Sequence, residues 1–221
     1  MTDIRALFCD AAAAAAPLVA DPALKERFDG PSALAEFSVR GLAGHLLRAM
    51  TSVDGYLDRP APDAIASGEA GEAPRVSAAE YYASVLAGET DINSDFHRSI
   101  RQRGLEAAPE APEAFPGAWA KMTARLQARL PAEPADRLVQ VYGDLVLTLD
   151  DYLVTRLIEL VVHADDLAVS LGVDPPLLPA AATCLVITTL VEVARVLHGD
   201  IAVVRALARR ERDAVGALRV I

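Results

Sequence analysis

A glutamate and a histidine four residues apart, Glu159 and His163, are the side chains of this sequence with the clearest capacity for chemistry. Positions i and i+4 of a helix lie on the same face, so the carboxylate and the imidazole can point at one ion. Apart from Glu159 itself, residues 157–162 are all apolar, and a charged group in such a stretch is costly unless it is paired or bound to a metal. The spacing therefore predicts a metal site, with a buried pair of Glu159 with His163 or Arg156 as the alternative interpretation.

A third ligand is sought among the remaining histidines, at positions 45, 97 and 198. His97 lies in a polar stretch that we expect to be solvated, and His198 lies at the end of a predicted helix, where its charge interacts favourably with the helix dipole. His45 lies beside the apolar face of a predicted helix and is the best third ligand; the alternative is a core histidine with an ordinary hydrogen bond. Two histidines and a carboxylate favour zinc, with nickel, iron and manganese as alternatives.

Helices must position these three side chains. Ser38 is a good N-cap and Phe37 a hydrophobic staple, so the helix of His45 is predicted to begin there. The helix of the Glu–His pair is predicted to begin at a cap formed by Asp150 or Asp151 and to end at Gly172. Apolar spacing and the turn residues between helices predict further helices over about residues 3–19, 78–103, 119–130, 179–197 and 201–210. The helix that begins at Ser38 has an apolar stripe to Val53 and ends before a loop at 58–76, and the helix of the Glu–His pair runs to about Ser170.

Two β-rich runs interrupt the helical pattern. Residues 138–142 and 145–149 are rich in aliphatic residues, and Gly143-Asp144 between them is typical of a two-residue hairpin. A lone hairpin is marginal in water, so we predict a third strand from residues 218–221. The predicted fold is mainly α: one domain over residues 1–221, with a helical bundle at 1–172, a hairpin at about 138–149, and extra C-terminal helices within an extension at 173–221 that packs on the bundle.

The charge and cysteine content exclude several classes of protein. The formal net charge is −10, and an acidic chain repels phosphate backbones, so we expect no nucleic-acid partner. Two cysteines far apart, Cys9 and Cys184, form no disulfide framework and are expected to be small buried residues. The apolar stretch at 179–191 is shorter than a membrane span needs, and the N-terminus does not resemble a signal peptide. We therefore expect a cytoplasmic protein without a membrane partner.

Two segments resemble a known family. Residues 37–46, Phe-Ser-Val-Arg-Gly-Leu-Ala-Gly-His-Leu, are similar to the first signature of the DinB-like superfamily and, more narrowly, of the metal-binding N-terminal domain of mycothiol-dependent maleylpyruvate isomerases. Residues 152–168 resemble the second signature of this family. The resemblance covers about residues 1–172 and implies that His45, Glu159 and His163 bind the metal.

The resemblance also implies a fold and an activity. The fold is an up-and-down four-helix bundle, and the activity is that of a transferase or isomerase in which a small thiol, mycothiol or bacillithiol, is activated on the metal and attacks a small electrophile. Lysine occurs only twice, and this arginine-rich composition is typical of a high-GC actinobacterium, where mycothiol is expected. Asp166 is a candidate to orient a metal-bound histidine, and Arg156 to orient Glu159 or a substrate.

Other interpretations of the sequence remain open. The chain could be a metal-binding or sensor module without catalysis, a hydrolase in which the metal activates water, or a helical dimer with a vestigial motif. A homodimer is compatible with the apolar helices. No general acid or base stands out; His97 and Tyr56 qualify only if mobile loops, such as the one predicted over residues 58–76, fold over the site.

Overall fold

Ten α-helices and a two-stranded sheet make up the part of the chain that the structure describes. This computed structural model describes residues 3–62, 74–87, 91–141, 145–211, 214–218 and 220. The helices are α1 (Ile4–Val19), α2 (Pro22–Arg27), α3 (Val39–Leu57), α4 (Ala78–Leu86), α5 (Asp95–Ala107), α6 (Phe115–Arg129), α7 (Leu149–Leu171), α8 (Ala180–His198), α9 (Asp200–Ala208) and α10 (Val215–Leu218). The strands are β1 (Leu138–Gln140) and β2 (Val146–Thr148). The prediction of a mainly α fold is confirmed.

Helices α1, α3, α6 and α7 form the four-helix bundle. Both α1 and α3 pack against α6 and against α7, so the four helices close into a ring around a common core. The indole nitrogen of Trp119 donates a hydrogen bond to the carbonyl of Ala12 at 2.8 Å, which satisfies the polar group of this buried ring. The largest fully buried side chains include Phe8, Leu42, Met50, Phe115, Trp119, Leu126 and Leu153.

The two helices that carry the candidate ligands begin and end at capping residues. As predicted, Ser38 caps α3, because its hydroxyl accepts a hydrogen bond from the Gly41 amide at 3.1 Å. Thr148 caps α7 in place of the predicted aspartates, and its hydroxyl accepts from the Asp151 amide at 3.0 Å. Gly172 ends α7 as predicted, with a φ of 70° that glycine adopts without steric strain.

The single helix predicted over residues 78–103 is wrong, because two helices, α4 and α5, occupy this range. Ala87 is extended at the end of α4, and Ser94 caps α5 by accepting a hydrogen bond from the His97 amide. Residues 88–90 lie outside the described part. A serine cap satisfies the amides of a new first turn and so competes with continuation of the earlier helix. The two helices have different partners: α4 packs against α7 and α8, and α5 against α3.

Two glycines allow α5 to lie directly on α3. A Cβ atom at Gly44 would lie 2.1 Å from the carbonyl oxygen of Gly104. A Cβ atom at Gly104 would lie 2.7 Å from the carbonyl oxygen of Gly41 and 3.3 Å from Cβ of His45. Only glycine permits so close an approach of two backbones. The crossing places α5 beside the turn of α3 that carries His45.

The predicted hairpin is confirmed as an antiparallel sheet in which Val139 faces Leu147; its turn, residues 142–144, lies outside the described part. The third strand predicted over residues 218–221 is wrong where it can be compared, because Leu218 ends α10 and Val220 is in no strand. Residues 219 and 221 lie outside the described part. β2 is covered from the other side by Arg75, which forms a parallel bridge with Val146.

Helix α8 leaves much of its apolar surface exposed. It packs against α1, α4, α7 and α9, yet only 28% of its most apolar window is buried. By length and composition alone it could cross a membrane, whereas the sequence predicts a stretch too short for that. Cys184 lies exposed on this helix, contrary to expectation, and Cys9 is buried as expected.

Candidate metal centre

Ligand atoms from α3 and α7 converge beside the core of the bundle. His45 lies on α3, and Glu159 and His163 lie one turn apart on α7. Oε2 of Glu159 lies 2.9 Å from Nε2 of His45 and 3.4 Å from Nε2 of His163. One ligand atom from each residue can be chosen so that all three lie within 4.8 Å of one another. The structure thus brings together the three side chains that the sequence singles out.

The spacing and accessibility of these atoms fit a divalent metal ion. Two ligands at about 2.0–2.1 Å from zinc lie roughly 3.3–3.4 Å apart when their angle is tetrahedral. The separation between Glu159 and His163 is 3.4 Å, whereas the 2.9 Å between Glu159 and His45 is that of a hydrogen bond and must widen when a metal binds. The side chains of His45, Glu159 and His163 are 12, 15 and 19% exposed, so the set is neither sealed nor fully solvated. Three protein ligands leave one coordination position open, which is typical of catalytic zinc sites.

Asp166 orients His163. Its Oδ2 lies 2.9 Å from Nδ1 of His163, so Nδ1–H can donate to the carboxylate while Nε2 faces Glu159. Although burial acts against it, the hydrogen bonds with Asp166 and Glu159 raise the pKa of His163 to about 9. Without a metal, His163 is therefore charged at neutral pH and forms an ion pair with Glu159, and a metal ion must displace this proton to bind. The sequence-based hypothesis placed Asp166 in this position.

His45 differs from His163 in both charge and orientation. Burial lowers the pKa of His45, against the opposing effect of Glu159, so the imidazole is neutral and ready to bind a metal. Nδ1 of His45 is buried and has no hydrogen-bond partner among the described residues. The ring is held by the contact of Nε2 with Glu159 at 2.9 Å and by packing, since the ring centroid of Phe37 lies 5.9 Å away and that of His163 4.8 Å away.

The two oxygens of Glu159 have different partners. Oε2 faces the histidines, whereas Oε1 accepts a hydrogen bond from the hydroxyl of Tyr82 at 2.5 Å and lies 3.9 Å from Nη2 of Arg156. Burial opposes ionisation, but the hydrogen bonds with His163 and His45 and the charge of Arg156 hold the pKa of Glu159 well below its usual value. The carboxylate is therefore ionised and held in one orientation.

Tyr82 is a residue of the site that sequence reasoning missed. It lies on α4 and is buried, and its hydroxyl is also 3.2 Å from the carbonyl of Thr155. Burial, followed by the charge of Glu159, raises the pKa of Tyr82 well above its usual value, so it keeps its proton and acts as a donor. The only signal in the sequence is its place on a short capped helix, which does not reveal a contact with α7.

Two cavities flank the three candidate ligands. The arginine cavity, of about 400 Å³, contains three arginines and four tyrosines: Arg48, Arg103, Arg156, Tyr56, Tyr81, Tyr82 and Tyr152. The apolar cavity, of about 440 Å³, has a mostly aliphatic and aromatic wall that includes Leu34, Phe37, Leu86, Ile92, Ile158 and Val162. His45, Tyr82, Ile100 and Glu159 line both. The candidate centre is therefore reached from two chemically different sides.

The two residues considered for proton transfer lie on opposite sides of the centre. His97 lines the apolar cavity together with His163, and is half-buried rather than solvated as predicted. Tyr56 lines the arginine cavity and packs edge-on against Tyr152, with ring centroids 5.0 Å apart. Residues 63–73 of the loop predicted over residues 58–76 lie outside the described part, so the condition that mobile loops fold over the site stays a prediction.

Comparison with known proteins identifies the family. A family model described as the mycothiol maleylpyruvate isomerase N-terminal domain matches residues 8–168, well over half of the chain. The matched segment includes α3 and all but the last three residues of α7, and therefore all three converging side chains. Comparison with curated proteins and with solved structures gave no match. The chain belongs to the family of mycothiol maleylpyruvate isomerase N-terminal domains.

Proposed function

We propose that this protein binds one divalent metal ion, zinc in the first instance, through His45, Glu159 and His163, and is an enzyme that uses a small thiol of the mycothiol type. The reaction is transfer of the thiol to a small electrophile, or isomerisation of that electrophile. The observation that supports this proposal most strongly is the convergence of three ligand atoms within 4.8 Å where two cavities meet.

The chemistry assigned to the metal is the activation of the thiol. A bound divalent metal lowers the pKa of a coordinating thiol, so that the nucleophilic thiolate exists at neutral pH. The protein supplies the arrangement around it: Asp166 fixes the ring of His163, and Tyr82 and Arg156 hold the outer oxygen of Glu159.

Two cavities suit a reaction with two substrates. Each has the volume of a small-ligand pocket, and the shared residues His45 and Glu159 are where molecules bound in the two cavities would approach each other. Holding two reactants side by side removes much of the entropic cost of a bimolecular reaction.

Cys9 and Cys184 are unpaired, which supports the expected location in a reducing cytoplasm.

Metal content tests the first half of the proposal. Untagged wild-type protein, His163→Ala and His198→Ala are incubated with zinc, desalted and examined by elemental analysis. His198 is exposed at the end of α8, so this variant is the matched control for loss of an imidazole. We expect roughly one metal ion per chain in the wild type and the control and little in His163→Ala. Equal metal content in all three proteins would contradict the assignment.

Turnover tests the second half. The zinc-loaded protein is mixed with mycothiol and an aryl halide whose thioether product absorbs light at a distinct wavelength. In this reaction a carbon–sulfur bond forms, the halide leaves with the bonding electrons, and the thiol proton passes to buffer. We expect thioether formation that requires both zinc and thiol. A protein that binds zinc but shows no thiol-dependent turnover with a panel of electrophiles is a metal-binding module; thiol-independent ester hydrolysis would indicate that the metal activates water instead.

A further inference from the structure

The arginine cavity and the apolar cavity meet at a boundary formed by four side chains. In the described part of the chain, the residues that line both cavities are His45, Tyr82, Ile100 and Glu159. His45 and Glu159 are candidate metal ligands, and the hydroxyl of Tyr82 donates to Glu159 at 2.5 Å. The side chain of Ile100 can neither bind a metal nor form a hydrogen bond. Its place at the boundary therefore has a different physical meaning from that of the other three.

The helical period of α5 places Ile100 between the two cavities. Four residues on one arc of the helix line the arginine cavity and not the apolar cavity: Asp95, Phe96, Ser99 and Arg103. On the next arc, His97 and Arg101 line the apolar cavity and not the arginine cavity. A helix turns by about 100° per residue, so Ile100 lies roughly 40° from Phe96 and 60° from His97 around the axis. Helix α5 thus separates the two cavities, and Ile100 is the residue on the dividing line.

The backbone contact between α5 and α3 fixes the position of Ile100. Gly104 follows Ile100 by one turn and lies on the same face of α5. A Cβ atom at Gly104 would lie 2.7 Å from the carbonyl oxygen of Gly41 and 3.3 Å from Cβ of His45, so α5 cannot move closer to α3. Isoleucine is branched at Cβ and has one strongly preferred rotamer in a helix. The side chain at the boundary is therefore a wall of fixed size in a fixed place.

We propose that Ile100 sets the size of the group that can occupy the boundary beside His45 and Glu159, and so selects ligands by their bulk at the atom that approaches the metal. One methylene more or less in an apolar pocket changes selectivity about 10–200-fold, so one side chain is sufficient for this role. The separation of the cavities by Ile100 is a property of the fold. The selection of a thiol or an electrophile by its bulk rests on the proposed function.

Crystal structures of the metal-free proteins test the separation without reference to catalysis. We expect Ile100→Ala to join the two cavities into one continuous space and Ile100→Phe to keep them apart. Ile100 is half-buried, and thermal melts show whether each variant folds; Ile100→Val, which removes a single methylene, replaces Ile100→Ala if the alanine variant unfolds. Neighbouring side chains that move into the vacated space and leave the cavities separate would overturn the proposal.

Thiol binding to cobalt-loaded protein tests the selection by bulk. Coordination of a thiolate to cobalt(II) produces an absorption band in the near ultraviolet, which is followed in titrations with ethanethiol and with 2-methyl-2-propanethiol. Both thiols are uncharged, and they differ in branching at the carbon that carries sulfur. Relative to the wild type, Ile100→Ala should favour the branched thiol over the unbranched one by about tenfold or more, and Ile100→Phe should change this ratio in the opposite direction.

An isoleucine in the wall of one cavity provides the matched control. Ile92 lines the apolar cavity and not the arginine cavity, and it is 48% exposed. Ile92→Ala removes the same atoms as Ile100→Ala but away from the boundary, so it should keep the wild-type ratio of the two thiol affinities. A ratio that Ile92→Ala changes as much as Ile100→Ala does would overturn the proposal.

The two experiments separate failure of this proposal from failure of the proposed function. A wild-type protein that takes up no cobalt would refute the proposed metal centre, and the crystal structures would then decide whether Ile100 separates the cavities. Cobalt uptake and thiol binding with the same affinity ratio in the wild type and Ile100→Ala would refute selection by Ile100 and leave the proposed function standing.

Discussion

Removal of one hydroxyl group, in Tyr82→Phe, tests whether α4 supports the metal centre. The hydroxyl is buried and donates to Oε1 of Glu159 at 2.5 Å, and the substitution leaves the ring in place. A hydrogen bond to a charged group contributes about 1.5–3 kcal/mol. Arg156, at 3.9 Å, compensates only in part, so we expect zinc affinity to fall about 10–100-fold, the range found when partners of metal ligands are removed.

Competition against a chromogenic chelator measures this loss, and urea unfolding of the metal-free protein measures the effect on stability. Tyr81→Phe is the matched control, because Tyr81 is the adjacent residue on α4 and lines the arginine cavity without contacting the candidate ligands. We expect Tyr81→Phe to retain wild-type zinc affinity. Equal zinc affinities for Tyr82→Phe and the wild type would refute the assignment of Tyr82 as the residue that holds Glu159.

Four further outcomes follow from the geometry. Gly44→Ala should destabilise the protein by about 1–3 kcal/mol or more in urea unfolding, because the new Cβ would lie 2.1 Å from the carbonyl oxygen of Gly104. Gly55→Ala is the control: its Cβ would have no neighbouring atom within 4 Å, so the substitution should be neutral or stabilising by up to about 1 kcal/mol. The pKa of His163 is raised to about 9, so in metal-free protein its protonated form stabilises the fold fully below pH ~6.5. This stabilisation, at most about 3 kcal/mol, is lost as the pH rises to about 9. A free energy of unfolding that stays constant over this range would contradict the contact with Asp166. Asp166→Asn should flatten this pH dependence in the same urea series. Chelation of the metal should lower the Tm of zinc-loaded wild type and leave that of Glu159→Gln unchanged in a thermal melt.

Glu159 and His163 were predictable from the sequence because their constraints are local, whereas His45, on another helix, was singled out by elimination among the histidines and by the family resemblance. Glu159 and His163 share one helix, where a spacing of four places them on one face, and the segment around them is apolar enough to make their burial evident. Ser38 and Gly172 mark helix ends through their own side-chain and backbone preferences. These signals need no knowledge of how the helices pack.

The rest of the site depends on tertiary contacts that no local pattern in the sequence predicts. Tyr82 reaches Glu159 across 77 residues of sequence, and a tyrosine on a short helix has no pattern that announces such a contact. Arg48 looks like an ordinary helix residue until Arg103 and Arg156 are brought beside it. The break between α4 and α5 was missed because its surroundings favour helix on both sides. The third strand was predicted because a lone hairpin is marginal in water, whereas Leu218 lies in α10.

The contact between Gly44 and Gly104 has a consequence for how this protein can change. It belongs to a short stretch where the backbones of α3 and α5 touch, while other residues of α5, Ile100 and Arg103 among them, line the cavities. The candidate ligands come from α3 and α7, whereas this part of the cavity walls comes from α5, a separate segment of the chain. Substitutions along α5 that keep Gly104 would therefore change the cavity walls, and with them the ligands that bind, while leaving the candidate metal ligands in place. A library of variants confined to α5 is therefore the most direct way to change which ligands the cavities bind.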